Sequence, residues 1–197
     1  MSGTFDPVLA GPLHRQYRQL RARLELVLPP DRFAHEMVPA RLSPSIWTQL
    51  VRRKPFVGLG FTGVRAKDAS GRGGLQSDAL WDLFLVASNL RPAERLLGDA
   101  QGPGGFGMLH VAIYALHGFT IAGAEPGEAS GTVAVTGVTN SYFEGDADEQ
   151  TVLIRVGLSI PTYWRQALPL EEFLRTRVVW DFPVTGAATD DNSVRTP

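Results

Sequence analysis

Three groupings in this sequence carry residue types that could do chemistry. The first is Gly102-x-Gly104-x-x-Gly107, which has the letters of a dinucleotide-binding fingerprint and opens a helix. Such a loop works because a strand runs straight into its first glycine, so that a pyrophosphate meets the N–H groups of the helix N-terminus. Here the preceding apolar run ends about a dozen residues earlier, and that context is missing. Glu125 falls near the distance of a ribose-binding acid, but in an Ala-Glu-Pro-Gly turn rather than at a strand end. The second grouping is His110 and His117, seven apart on one helix, which sets their backbones about 10 Å apart. Two histidines that share a metal on a helix need a spacing of four, so no metal is expected there, nor at the isolated His14 and His35. The third is Glu144, Asp146 and Asp148, which alternate like the start of a calcium loop. Its sixth position is Glu149 instead of glycine and its twelfth is Arg155 instead of glutamate, so a solvated hairpin tip is expected, with an electrostatic docking contact as the functional alternative.

Cysteine is absent, which removes disulfides, thiolate metal sites and a thiol nucleophile. Neither a Gly-x-Ser-x-Gly elbow nor a His-Glu-x-x-His motif occurs. The expected cofactor and catalytic sets are therefore empty. At 197 residues the chain can bury one real core without staples. With 44% hydrophobic and 20% charged residues it sits near globular averages, and its net charge of -1 argues against a nucleic-acid surface held by bulk charge. The N-terminus is not expected to act as a signal peptide, and no apolar run reaches the length of a membrane helix.

The elements that would position these groups follow from periodicity. Leu9, Leu13, Tyr17, Leu20, Leu24, Val27 and Leu28 lay one apolar stripe along a helix that Pro29-Pro30 ends, with Arg15, Arg18, Arg21 and Arg23 outside the stripe as a solvated face or a surface for an acidic partner. A short extended piece is expected near Phe33 to Val38, and a capped short helix from Ser43. In the first strand Val57, Leu59 and Phe61 point one way and Gly58, Gly60 and Thr62 the other, so one face is nearly bare and admits another backbone, from a helix or a neighbouring subunit. A projecting loop spans Lys67 to Gln76, and the second strand, Asp78 to Asn89, is apolar on both faces and should be central.

A short helical turn at Pro92 to Leu97 and a helix from about Gly105 to Gly118 come next; the latter is apolar nearly all round and should be buried, with a polar seam of His110, Tyr114 and His117. Gly131 to Asn140 reads as a third strand and Val152 to Ile160 as a fourth, joined by the acidic tip 144 to 149. Beyond Pro161, Pro169 to Arg175 could make two helical turns, Val178 to Phe182 is a short extended apolar piece, and residues 184 to 197 should be disordered alone. The fold class is α+β: a largely antiparallel sheet of about four strands with two main helices packed on it, over residues 1 to 163, and a C-terminal extension over 164 to 197.

With the elements in this order, the chain resembles the tail terminator proteins of long-tailed bacteriophages, especially the group found with Mu-like contractile-tailed prophages. The features that carry the resemblance are the N-terminal amphipathic helix, the Pro55-Phe-Val-Gly-Leu-Gly-Phe-Thr-Gly63 strand and the Trp81-x-Leu83-x-Leu85-Val86-x-x-Asn89 strand. The helix Gly107-x-Leu109 to Leu116-x-Gly118, a Thr-rich strand and the alternating strand Val152 to Ile160 complete them. The resemblance covers roughly residues 9 to 163. It implies a structural virion protein, assembled in the host cytoplasm into a ring, hexameric in the family, that caps the head-proximal end of the tail tube, stops its polymerisation and joins tail to neck. The implied partners are further copies of itself, the tail tube protein, a neck or head-completion protein and the tail sheath, with no membrane and no sequence-specific nucleic acid. The family has no catalytic residues to carry over. On this reading Gly58, Gly60, Arg72, Asp146, Asp148 and Trp180 are the candidate subunit-interface residues. The alternatives are another neck or tube ring or adaptor of the virion, and a small nucleotide-dependent enzyme using the Gly102 to Gly107 loop.

Overall fold

A computed structural model of the chain describes residues 11–39, 55–67, 74–89, 91–100, 102–123, 129–141 and 151–165. Helix α1, Gly11–Val27, buries Gln16, Leu20 and Leu24, a run of four-residue steps that is one ridge of a helix. It ends where Arg32 and Phe33 donate back to the Pro29 carbonyl, turning the chain into strand β1, Ala34–Val38. Strand β1 pairs in parallel with β2, Phe56–Ala66, at the edge of a five-stranded sheet. The other strands are β3, Gly74–Ser88, β6, Ala134–Ser141, and β7, Thr151–Arg165. The sheet order is β1-β2-β3-β7-β6, antiparallel throughout except at β1. Helices α2, Pro92–Leu97, and α3, Gly105–Leu116, lie between β3 and a two-stranded ribbon of β4, Thr120–Ala122, and β5, Ala129–Thr132.

The core lies between the helices and one sheet face. Val57 and Leu59 of β2, Trp81, Leu83 and Leu85 of β3, and Ile154, Val156, Leu158 and Ile160 of β7 meet Leu20, Leu24 and Leu28 from α1 and Met108, Ala112 and Leu116 from α3. Each Val, Leu, Ile or Met side chain among them contributes about 1.5–3 kcal/mol when fully buried. A smaller cluster of Val38, Phe56, Val86 and Leu153 occupies the opposite face near one end of the strands. Fastening of α1 is polar as well as apolar. Gln19 uses its amide like a strand residue, donating to the Ala122 carbonyl at 3.1 Å and accepting from the Ala122 N–H at 2.8 Å. Arg23 donates to the Ala115 carbonyl at 3.2 Å, which satisfies an end carbonyl of α3, and its guanidinium lies 5.5 Å from the Phe119 ring centre.

The α+β class, the antiparallel sheet and the central second strand stand as expected. Several boundaries do not. The extended piece after α1 is a paired strand. The expected third strand breaks at Val133 into β5 and β6, which belong to different sheets. Val133 is buried, and its N–H and carbonyl bond to Phe119 and Gly118 rather than to a strand, so the chain changes sheets there. The hairpin of β2 and β3 pairs out to Ala66 and Ser77, with Lys67 N–H bonded to Gln76, so the loop between them is shorter than Lys67 to Gln76. Strand β7 runs past Pro161 to Arg165, two residues beyond the expected domain boundary. Helix α3 is not buried all round: Phe106, His110, Tyr114 and His117 form an exposed stripe, with Tyr114 80% exposed. The expected helix from Ser43, the turn at 124–127 and everything expected beyond Arg165 lie outside the described residues.

Candidate functional site

Two surfaces of the sheet could do something beyond holding the fold: the face opposite the helices and the outer edge of β6. Register explains the first. Gly60 pairs with Asp82, Asp82 with Gly157, and Gly157 with Gly137, so one row across β2, β3, β7 and β6 carries three glycines and one aspartate. The row is a groove because its neighbours are larger. On one side run Phe84, Arg155 and Thr139, and on the other Leu80 and Ser159. The open part of the groove has a volume of about 350 Å³ and is lined by residues including Arg65, Leu80, Asp82, Thr136, Thr139 and Gly157. Asp82 is nearly buried within it and accepts from Arg155 Nη2 at 2.6 Å, while Arg155 stays half exposed. Lys67 and Asp78 make a second pair along the same strands, also at 2.6 Å. The groove thus combines a glycine floor with the paired Asp82 and Arg155, and Arg65 stands in its wall.

Gly58 and Gly60 sit at the β1 end of this face, and both are buried by their own chain. A Cβ on Gly58 would stand 2.5 Å from Val38 Cγ2 and 2.7 Å from Phe56 Cε1; one on Gly60 would stand 3.3 Å from both Phe84 Cε2 and the Val38 carbonyl oxygen. The bare face expected to admit a helix or a neighbour is therefore filled by strand β1 and by two phenylalanines of the same chain. Arg72, Asp146, Asp148 and Trp180 lie outside the described residues, as do the acidic tip and Glu125.

The glycine loop before α3 has a packing explanation. A Cβ on Gly104 would collide with Gly98 N and the Leu96 carbonyl, so Gly104 is what lets the start of α3 close against the end of α2. Gly98 itself has φ +82, a left-handed conformation suited to glycine after a helix. Gly102 is tied to Asp99, whose side chain accepts from the Gly102 N–H at 3.1 Å. A cavity of about 770 Å³ beside this loop is lined by Arg32, Arg91, Arg95, Glu94 and Asp99 among others, with both charge signs mixed. Among the histidines, His35 Nε2 lies 2.6 Å from the Leu28 carbonyl, His117 Nδ1 accepts from the Val135 N–H at 3.3 Å, and His14 and His110 are exposed. Among the described residues no three His, Asp or Glu side chains gather as a metal site would require. No helix is long and apolar enough to cross a membrane, again among the described residues.

The second surface is the outer edge of β6. Strand β6 bonds to β7 on one side and to no described strand on the other. From Ala134 to Ser141 it carries no charge and no proline, the usual devices that keep an edge from pairing. Val138 is 43% exposed there. Sequence reasoning marked this segment as a strand but not as an edge, since nothing in one strand's letters says where it stands in the sheet. The glycine row was missed for the same reason: Gly60, Gly137 and Gly157 are far apart in the chain, and only the register aligns them. In comparisons with known proteins, the chain matches no family model and no curated protein.

Proposed function

We propose that this protein is a structural subunit of a bacteriophage tail, a terminator that forms a ring on the head-proximal end of the tail tube, stops tube growth and joins the tail to the neck. The order of elements carries the reading. An amphipathic helix, a β2–β3 hairpin, a helix opened by glycines, a Thr-rich strand and a long alternating strand follow one another as in the resemblance, and both main helices cover one face of a mostly antiparallel sheet. Such a subunit offers the groove on its other face for assembly. The partners are further copies of itself, the tail tube, a neck protein and, in a contractile tail, the sheath; the place is the virion.

The decisive experiment adds purified protein to tubes growing from the tail tube protein of the same virus. Arrest of elongation, with a ring visible at one tube end by electron microscopy, is the expected result. Tubes that grow undisturbed, with the protein monomeric at high concentration, would overturn the proposal.

A further inference from the structure

We infer that the solvent side of α1 and α3 is a docking surface for an acidic, amphipathic helix of another protein. The inference stands on this surface alone and holds with or without the ring reading. The two helices run antiparallel: Gln19 bonds to Ala122 and Arg23, one turn on, bonds to Ala115, so further steps along α1 lead back along α3. On α1 the row opposite the buried Gln16, Leu20 and Leu24 is Arg15, Arg18, Ala22 and Leu26. A helix on a surface normally turns polar residues outward, yet the outward row of α3 is Phe106, His110, Tyr114 and His117. Leu26 is 74% exposed and Phe106 52%, and Tyr114 more than either. Large apolar side chains exposed singly mean little, but a group of them on adjoining helices marks a contact surface.

Charge selects the occupant. Helix α1 carries four arginines, and the single acid of the two helices, Glu25, is held by Arg21 at 2.7 Å. A chain whose net charge is -1 thus gathers positive charge on this side. A partner with carboxylates gains charge-assisted bonds to the exposed Arg18 and offers acceptors to His110 and the Tyr114 hydroxyl. If the partner is a helix with apolar residues at steps of three and four, one face meets Leu26, Tyr114 and Phe106 while its acids flank them. Two other occupants fit less well. A second copy docked symmetrically through this face would set arginine against arginine. Lipid chains would leave His110, which stands between Phe106 and Tyr114 on the row, without an acceptor.

Titration calorimetry tests this with three probes: a synthetic helix with leucine at steps of three and four and glutamate elsewhere, the same peptide with lysine for glutamate, and vesicles of phosphatidylglycerol and phosphatidylcholine. The glutamate peptide should bind, more weakly as salt rises, and the other two should not. Tyr114→Ser combined with Leu26→Ser should weaken that binding about tenfold or more, and so should Arg18→Glu. Each change is at an exposed side chain, so the circular dichroism spectrum should stay that of the parent. Val64→Ser, at an exposed apolar residue of β2, should bind like the parent. The inference is overturned if the glutamate peptide does not bind, if the lysine peptide binds as well, if the variants bind like the parent, or if the vesicles bind at least as tightly. It is also overturned if the Tyr114→Ser, Leu26→Ser protein loses self-association that the parent shows in sedimentation velocity, which would assign the face to a second copy. A protein that arrests tubes yet ignores the peptide keeps the ring reading and loses this surface, and one that binds the peptide but ignores tubes does the reverse.

Discussion

The indole N–H of Trp81, at the centre of β3, donates to Gln16 Oε1 of α1 at 3.0 Å, and the Gln16 amide donates in turn to Thr162 Oγ1 at 2.7 Å. Gln16 is fully buried, so these bonds replace the water it has lost. The Thr162 hydroxyl donates to the Ile160 carbonyl, and Ser77, which accepts from Trp164 at 2.7 Å, stands beside it. One glutamine thus fixes the height of α1 against two adjacent strands, while Tyr17 and Phe61 hold the Trp81 ring at centroid distances of 6.3 and 5.3 Å. Gln16→Met keeps the volume and orphans the Trp81 N–H, so it should cost about 1–3 kcal/mol. Urea unfolding of the variant measures this, and an unchanged midpoint would show that the network does not hold the helix.

Gly58 and Gly60 should differ in the isolated subunit. The Cβ of Gly58→Ala meets Val38 and Phe56 at 2.5 and 2.7 Å, whereas that of Gly60→Ala meets nothing closer than 3.3 Å. Overpacking at Gly58 should cost about 1–3 kcal/mol, and the change at Gly60 should cost less. Thermal unfolding of the separated subunit ranks them. If both fold normally and fail only in assembly, a neighbouring copy approaches this face after all.

Within the glycine loop the same reasoning splits two residues that a cofactor site would treat alike. Gly104→Ala should destabilise strongly, because its Cβ strikes the backbone of Gly98 and Leu96, while Gly102→Ala meets open space and should be near neutral. Neither NAD nor a divalent cation should raise the melting temperature of the parent, since any ligand selective for the folded state must do so. An upward shift with NAD that Gly102→Ala removes would restore the nucleotide-dependent enzyme.

The Arg155–Asp82 pair joins a nearly buried carboxylate to a half-exposed guanidinium, so its worth falls between that of a surface pair and a buried one. Arg155→Met should cost about 1 kcal/mol, an amount reduced by the solvent that reaches the arginine. Chemical denaturation at low and high salt checks it. A variant whose stability matches the parent at both salts would show that the pair contributes only local shape to the groove.

The local elements were legible from the letters because their causes are local. The stripe Leu13, Tyr17, Leu20 and Leu24 can be buried only by a helix, the alternation of Val152 to Ile160 only by a strand with one face inward, and the apolar run of β3 only at the centre of a sheet. Gln16 stands four residues before Leu20 on the buried ridge, and its polar letter alone does not mark it as inward. What the sequence could not decide is relative position. Strand order, the switch of sheets at Val133, the alignment of Gly60, Asp82, Gly157 and Gly137 in one row, and the exposure of the β6 edge all depend on hydrogen-bond register between segments distant in the chain. A single-residue slip would move every side chain of a strand to the other face, so the groove and the edge exist only as consequences of the assembled sheet.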